Sequence, residues 1–415
     1  MPESRKKKLL CVIWILAAVF LITGGIWNRL SGSIPEYVRV CASKEEALTL
    51  PAACSVSASD QNVLLQRGEN GVQIYAGKTG TYQLGVRLFG FWKLDDITLE
   101  VVDQEYLVPG GMPVGIYLKS DGVMVIGTAD VSDINGLTVN PAEGKIEPGD
   151  YILAVNGKNV SGKEELLQFI AENGGKDDIL TIRRNESVSQ VKLTPVNTAP
   201  GEYRLGLWVR SDLQGIGTLT YMDQKGNFGA LGHGISDIDT GEVVNSCDGT
   251  LYAAQIHGVT KSTFGKPGCL SGSIRYEEDL EYGKIVKNTS QGIFGKISEN
   301  YQKEYQQEAV PVAGKQQVHT GTAYIRSWLS GKQEDYEVQI TSLNMSDHNQ
   351  NKGLVLEVTD PRLLELTGGI VQGMSGSPIL QDGKFVGAVT HVFVQDSTKG
   401  YGIFIEDMLR MQDKS

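Results

Sequence analysis

Beyond about residue 30 the chain is dominated by short runs in which apolar and polar residues alternate. Gly80-Thr81-Tyr82-Gln83-Leu84-Gly85-Val86-Arg87-Leu88 and Ile97-Thr98-Leu99-Glu100-Val101-Val102 put every second side chain on one face, the period of a half-buried strand. From residue 199 the pattern is strand after strand: Tyr203-Arg204-Leu205-Gly206-Leu207-Trp208-Val209, then two runs flanking the turn Asp223-Gln224-Lys225-Gly226, and later Gly321-Thr322-Ala323-Tyr324-Ile325 and Leu354-Val355-Leu356-Glu357-Val358. Short strands spaced by glycine turns predict a barrel or sandwich. The stretch between is mixed. Tyr151-Ile152-Leu153-Ala154-Val155-Asn156-Gly157-Lys158-Asn159-Val160 reads as strand, turn and strand. Ser161 then caps a predicted helix, with Glu164 three residues on and Leu166, Leu167 and Ile170 on its apolar face.

One segment breaks this texture. Arg5-Lys6-Lys7-Lys8 precedes an uncharged, mostly apolar run over 9–28, about the length that crosses a bilayer as a helix. The basic flank keeps residues 1–8 cytoplasmic and sends the rest across. A cleaved signal peptide is the competing reading; no small-x-small cleavage site follows the run. The predicted fold class is therefore mainly β: a transmembrane helix over 9–28, a β-rich spacer over 29–104, an α+β domain over 105–198, and an all-β barrel-type domain over 199–415.

Composition narrows the function. The chain has 415 residues and a formal charge of −11, so nucleic acid is not an expected partner. Outside the apolar run lie Cys41, Cys54, Cys247 and Cys269; spacing favours Cys41 with Cys54 and Cys247 with Cys269 if pairs form. No cysteine or histidine cluster has zinc spacing, and no metal or organic cofactor is expected.

The candidate chemistry centres on Gly373-Met374-Ser375-Gly376-Ser377-Pro378, which ends an apolar run and precedes a hairpin around Gln381-Asp382-Gly383-Lys384. A serine nucleophile needs a glycine-lined turn so that its hydroxyl projects freely and backbone N–H groups converge beside it. It also needs a base. Of five histidines, His233 stands out, between two glycines after the apolar Gly229-Ala230-Leu231. His391, on the strand returning from Ser375, suits a substrate-pocket wall. For the carboxylate that would orient the imidazole, Asp237, Asp239 and Asp360 are open; Asp360-Pro361 has the look of a helix N-cap.

The run Gly149-Asp150-Tyr151-Ile152-Leu153-Ala154-Val155-Asn156-Gly157 and the helix after it resemble PDZ domains, which bind an extended peptide at a sheet edge beside that helix. The resemblance places the carboxylate-binding loop at Pro113-Val114-Gly115-Ile116, with the N–H groups of Val114, Gly115 and Ile116 facing the ligand and Lys163 and Leu167 across the groove; Pro113 replaces the usual glycine. Leu231-Gly232-His233-Gly234-Ile235-Ser236-Asp237, Thr359-Asp360-Pro361, residues 367–378 and Gly387-Ala388-Val389-Thr390-His391-Val392 resemble the stage IV sporulation protein B family. That resemblance implies a chymotrypsin-like serine endopeptidase with Ser375 as nucleophile, His233 as base and Asp360 as third member, and with Gly373 and Ser375 N–H groups as the oxyanion hole. It further implies action in the forespore intermembrane space on itself and on stage IV sporulation protein FA, which restrains the protease that processes pro-sigma-K. Self-cleavage is expected between the anchor and the PDZ domain. Activity is expected to fall with pH near 6.5 if the histidine is unperturbed. The alternative is a PDZ-based binding and signalling protein without catalysis.

Overall fold

A computed structural model describes residues 34–415 apart from 69–70, 238–240, 245–247, 306, 346–348 and 414–415, together with Trp14, Gly25, Trp27 and Gly32. The expected anchor over 9–28 lies almost wholly outside the described residues. Among the described residues no helix is long and apolar enough to cross a membrane.

The chain divides into two compact units. The first holds the spacer. Its four-stranded sheet has the order Tyr37–Cys41, Trp92–Val102, Gly80–Leu88, Cys54–Ala58, and a second sheet joins Glu45–Thr49, Gly71–Ala76 and Val63–Gly68. Alternation works as expected: Leu84, Val86, Ile97 and Leu99 are fully buried in a core shared with Val38, Leu48 and Ile74 of both sheets. The pairing of Cys41 with Cys54 does not form, and both thiols are free. They sit on the two outer strands of the four-stranded sheet. Three strand spacings, about 14 Å, far exceed what a disulfide spans. Cys269 is also free, and Cys247 lies outside the described residues.

The second unit contains two six-stranded barrels. In the first, Pro113–Thr128 pairs with Asp248–Thr260, and the ring runs on through Glu281–Thr289, Gly292–Ile297, Asn227–Ala230 and Leu207–Met222, which pairs back with Pro113–Thr128. Val114, Ile116, Leu118, Leu219, Phe228 and Leu251 fill it. The second barrel closes in the order Gly321–Ser327, Glu334–Leu343, Leu354–Val358, Lys399–Phe404, Lys384–Val392, Pro378–Gln381. Closure gives every ring strand a neighbour on both sides.

The α+β domain is an insertion in the first barrel. Pro113–Thr128 and Leu207–Met222 are both 16 residues long, and each runs from barrel into insertion without a break. Their far ends join Tyr151–Val155, Asp178–Arg184 and Ser187–Leu193. The chain passes from the first unit to the second at 106/107, two residues from the boundary expected at 104/105, whereas the boundary expected at 198/199 does not separate consecutive bodies: the barrel begins before the inserted domain and resumes after it. The predicted helix spans Lys163–Glu172, and its N-cap is Gly162, one residue beyond Ser161. Ser161 instead gives its N–H and hydroxyl to Glu165, at 2.8 and 2.9 Å, so the reciprocal carboxylate is Glu165 and not Glu164.

Candidate active site

Ser375 stands on the turn that leads into the second barrel's strand Pro378–Gln381. The turn is held at both flanks. Gly376 gives its N–H to the Val389 carbonyl at 2.7 Å, and Thr218 of the first barrel donates its hydroxyl to the Gly373 carbonyl at 2.7 Å and its N–H to the Ser375 carbonyl at 3.1 Å. Gly376 has φ +94°, and a Cβ there would meet the Thr218 carbonyl at 2.3 Å. Glycine is required by conformation and by space. Among the described residues, neither the Gly373 N–H nor the Ser375 N–H meets an acceptor.

His233 follows the strand Asn227–Ala230 of the first barrel. Leu231 and Gly232 both have φ +70°, which turns the chain sharply towards the second barrel. A Cβ on Gly232 would lie 3.0 Å from Ile403 and 3.1 Å from Thr390, so this glycine permits the close approach. The His233 Nδ1 lies 2.8 Å from the Gly234 carbonyl. An acceptor there places the proton on Nδ1 and leaves the Nε2 lone pair available. Burial pushes the imidazole below its ordinary pKa, and the Gly234 carbonyl opposes that in part. Its neutral form is favoured.

The two side chains line one cavity of about 690 Å³ between the barrels. Ile116, Leu213, Ile216, Ile370 and Val392 give it apolar walls. His391 also lines it, exposed, with its ring centroid 4.9 Å from that of His233. Desolvation, then His233 and Lys352, push His391 down to about 4.

Ser375 and His233 therefore line one cavity, whereas Asp360 stands apart from it. Asp360 caps the helix Pro361–Thr367. It accepts from the Arg362 N–H at 2.9 Å and the Glu337 N–H at 3.1 Å, and pairs with the Arg362 guanidinium at 2.8 Å. These contacts, led by Arg362, lower its pKa to about 2. It does not line the cavity. The hydrogen-bond partner of the His233 Nδ1 is instead the Gly234 carbonyl, an acceptor that no side-chain motif announces. Thr218 and Thr390 were also missed, because both act on the turn from distant strands.

The peptide-binding loop needs correction as well. Val114, Gly115 and Ile116 are paired on both sides, opposite Gly217, Ile216 and Gly215 on one edge and Ala253, Tyr252 and Leu251 on the other. Val114 and Ile116 are barrel core. No edge remains there for a peptide. Lys163 and Leu167 are exposed on the helix, and Leu167 does not share the buried face of Leu166 and Ile170. The open edge is 207–210, paired among the described residues only with Pro113–Thr128. Leu205 and Leu207 join the core that receives Leu166 and Ile170 of the helix. The signal was Arg204-Leu205-Gly206-Leu207, with Gly206 at φ +66°.

Among the described residues no group of histidine, cysteine or acidic side chains could hold a metal. A serine and a histidine presented to one cleft by two β-barrels is the layout of the two-barrel serine peptidases. The model of the SpoIVB peptidase S55 family matches residues 201–409, half of the chain, and the chain belongs to that family. A PDZ model matches residues 141–184. Among curated proteins, two from Xylella fastidiosa strains Temecula1 and 9a5c, each called a putative zinc metalloprotease, are 38% identical over 68 residues, 16% of this chain. The chain spans about 15% of the length of those relatives.

Proposed function

We propose that this protein is a serine endopeptidase held to a membrane by residues 9–28, acting outside the cytoplasm on protein substrates that include itself. His233 Nε2 takes the Ser375 proton as the hydroxyl attacks a peptide carbonyl, then passes it to the leaving amine. The Gly373 and Ser375 N–H groups receive the oxyanion, each contributing about 3 kcal/mol. One side of the segment 390–392 is open among the described residues, so a substrate strand can pair there and place its carbonyl over Ser375. The observation that carries the reading is Ser375 and His233 on one cavity, beside two N–H groups without acceptors.

Family membership favours a sporulation role, with a regulatory membrane protein resembling stage IV sporulation protein FA as substrate and pro-sigma-K processing as the outcome. Tethering supports this physically, since an anchor and a PDZ groove both raise the effective concentration of a membrane-bound substrate. A non-catalytic binding protein is the second reading. It is favoured by one observation: the Ser375 hydroxyl donates to the Thr390 carbonyl at 2.8 Å.

A mass-spectrometric map of the purified full chain during incubation tests the proposal. New N-termini between residues 29 and 113, absent from Ser375→Ala, are expected. An intact chain that also leaves unfolded protein substrates uncut would overturn it.

A further inference from the structure

The hairpin between Gly80–Leu88 and Trp92–Val102 ends in Phe89-Gly90-Phe91-Trp92. Phe89, Phe91 and Trp92 are 63%, 61% and 57% exposed. The rings form one cluster, with centroids 6.5 Å apart for Phe89 and Phe91 and 4.7 Å apart for Phe91 and Trp92. The turn that displays them is fixed. Phe89 has φ +52° and gives its N–H to the Ala53 carbonyl at 2.8 Å. A non-glycine residue with positive φ is uncommon, and here it carries a ring into solvent.

Directly behind the tip, Arg87 and Lys93 face each other across the ladder, both exposed. Like charges placed opposite are unfavourable in a sheet. Asp96 offsets Lys93 at 2.6 Å, but among the described residues no carboxylate lies within ion-pair distance of Arg87. Three apolar rings with a basic collar match a bilayer interface, where aromatic rings sit at headgroup level and basic side chains meet anionic lipid.

The strand register says which way the tip points. Tyr37–Cys41 runs parallel to Trp92–Val102, with Tyr37 opposite Thr98. Trp92 therefore projects about 20 Å beyond Tyr37, towards the side from which the chain arrives. The apolar run over 9–28 ends so few residues before Tyr37 that the connecting chain spans at most about 30 Å. If residues 9–28 lie in a bilayer, its surface is within reach of the end of the domain at which the tip projects.

We propose that the hairpin tip 89–92 inserts into the interfacial layer of an anionic bilayer, with Arg87 and Lys93 against the headgroups, as a second membrane contact that seats the spacer on the surface. The argument from direction rests on the membrane reading of residues 9–28; the aromatic cluster and basic pair stand apart from it.

The test uses the full chain carrying Trp14→Phe and Trp27→Phe, reconstituted into vesicles of phosphatidylglycerol with brominated or plain phosphatidylcholine. Brominated lipid is expected to quench part of the emission, and Trp92→Tyr to abolish that quenching. Phe89→Ser with Phe91→Ser, or replacement of phosphatidylglycerol by phosphatidylcholine, should weaken it. A chain that floats with the vesicles but shows equal emission in both lipids overturns this proposal alone. A chain that does not float overturns the membrane reading of residues 9–28 and this proposal with it.

Discussion

Ser375 donates its hydroxyl to the Thr390 carbonyl at 2.8 Å, which parks the proposed nucleophile on the strand that a substrate would join. A substrate N–H pairing with that carbonyl competes for the same acceptor and frees the hydroxyl to turn to His233. In a structure with a peptidyl phosphonate, Ser375 Oγ should therefore have left Thr390, whose carbonyl should accept from the inhibitor backbone. Retention of the Ser375 contact beside a bound, unreacted peptide would contradict this.

Thr218 holds the oxyanion turn from the opposite barrel, through the Gly373 carbonyl. Thr218→Val keeps the shape and removes the hydroxyl. One lost hydrogen bond of about 1.4 kcal/mol predicts a roughly tenfold fall in kcat with KM little changed. Steady-state kinetics on a peptide substrate would show it. A rise in KM alone would assign Thr218 to binding.

Asp360 is a cap and an ion-pair partner. Asp360→Ala should cost about 1 kcal/mol or more of stability, read as a lower Tm. At a temperature where the variant is folded, kcat/KM should stay near wild type. The folded carboxyl, lowered to about 2, remains ionised below the pH at which the unfolded one protonates. Its stabilisation is full above about 4 and is lost as pH falls through 2. In the variant, this part of the acid slope should disappear.

With His233 as the proposed base, the pH dependence of activity should follow its titration. Its pKa is lowered, so the base stays neutral below 6.5, and the acid limb of kcat/KM should lie below that value, more acidic than an unperturbed histidine gives. Stability follows the same sign. Between 6.5 and the folded pKa, the unfolded chain binds more protons, so acidification weakens the fold. For His391 that window runs from 6.5 down to about 4. His391→Gln should flatten the dependence of Tm on pH across it.

The PDZ groove beside 207–210 should be separable from catalysis. At Gly206, φ is +66° and a Cβ would meet the Ala129 carbonyl at 2.5 Å. Gly206→Val should abolish binding of C-terminal peptides in fluorescence anisotropy while leaving hydrolysis of a short peptide ester. Equal peptide affinity in the variant would move the groove elsewhere.

Much of the molecule was legible from local pattern. Alternation exposed the strands, and the glycines around Ser375 and His233 marked places where the backbones come close. What stayed hidden was pairing. The run Pro113–Thr128 gives no local sign that its first half belongs to a barrel and its second to a PDZ sheet, so resemblance alone places Val114, Gly115 and Ile116 at a groove they do not form. Asp360 illustrates a second limit: its cap geometry was visible in Asp360-Pro361, whereas the Gly234 carbonyl that serves His233 is a backbone group carried by every residue.

Ser375 acting as a nucleophile activated by His233 would have a direct chemical signature. Labelling of the folded full chain with a fluorophosphonate probe tests it most directly. Covalent labelling at Ser375 is expected, lost in Ser375→Ala and strongly reduced in His233→Ala, with Asp360→Asn labelled like wild type. A folded protein that takes up no probe, or one labelled equally well without His233, would contradict the claim.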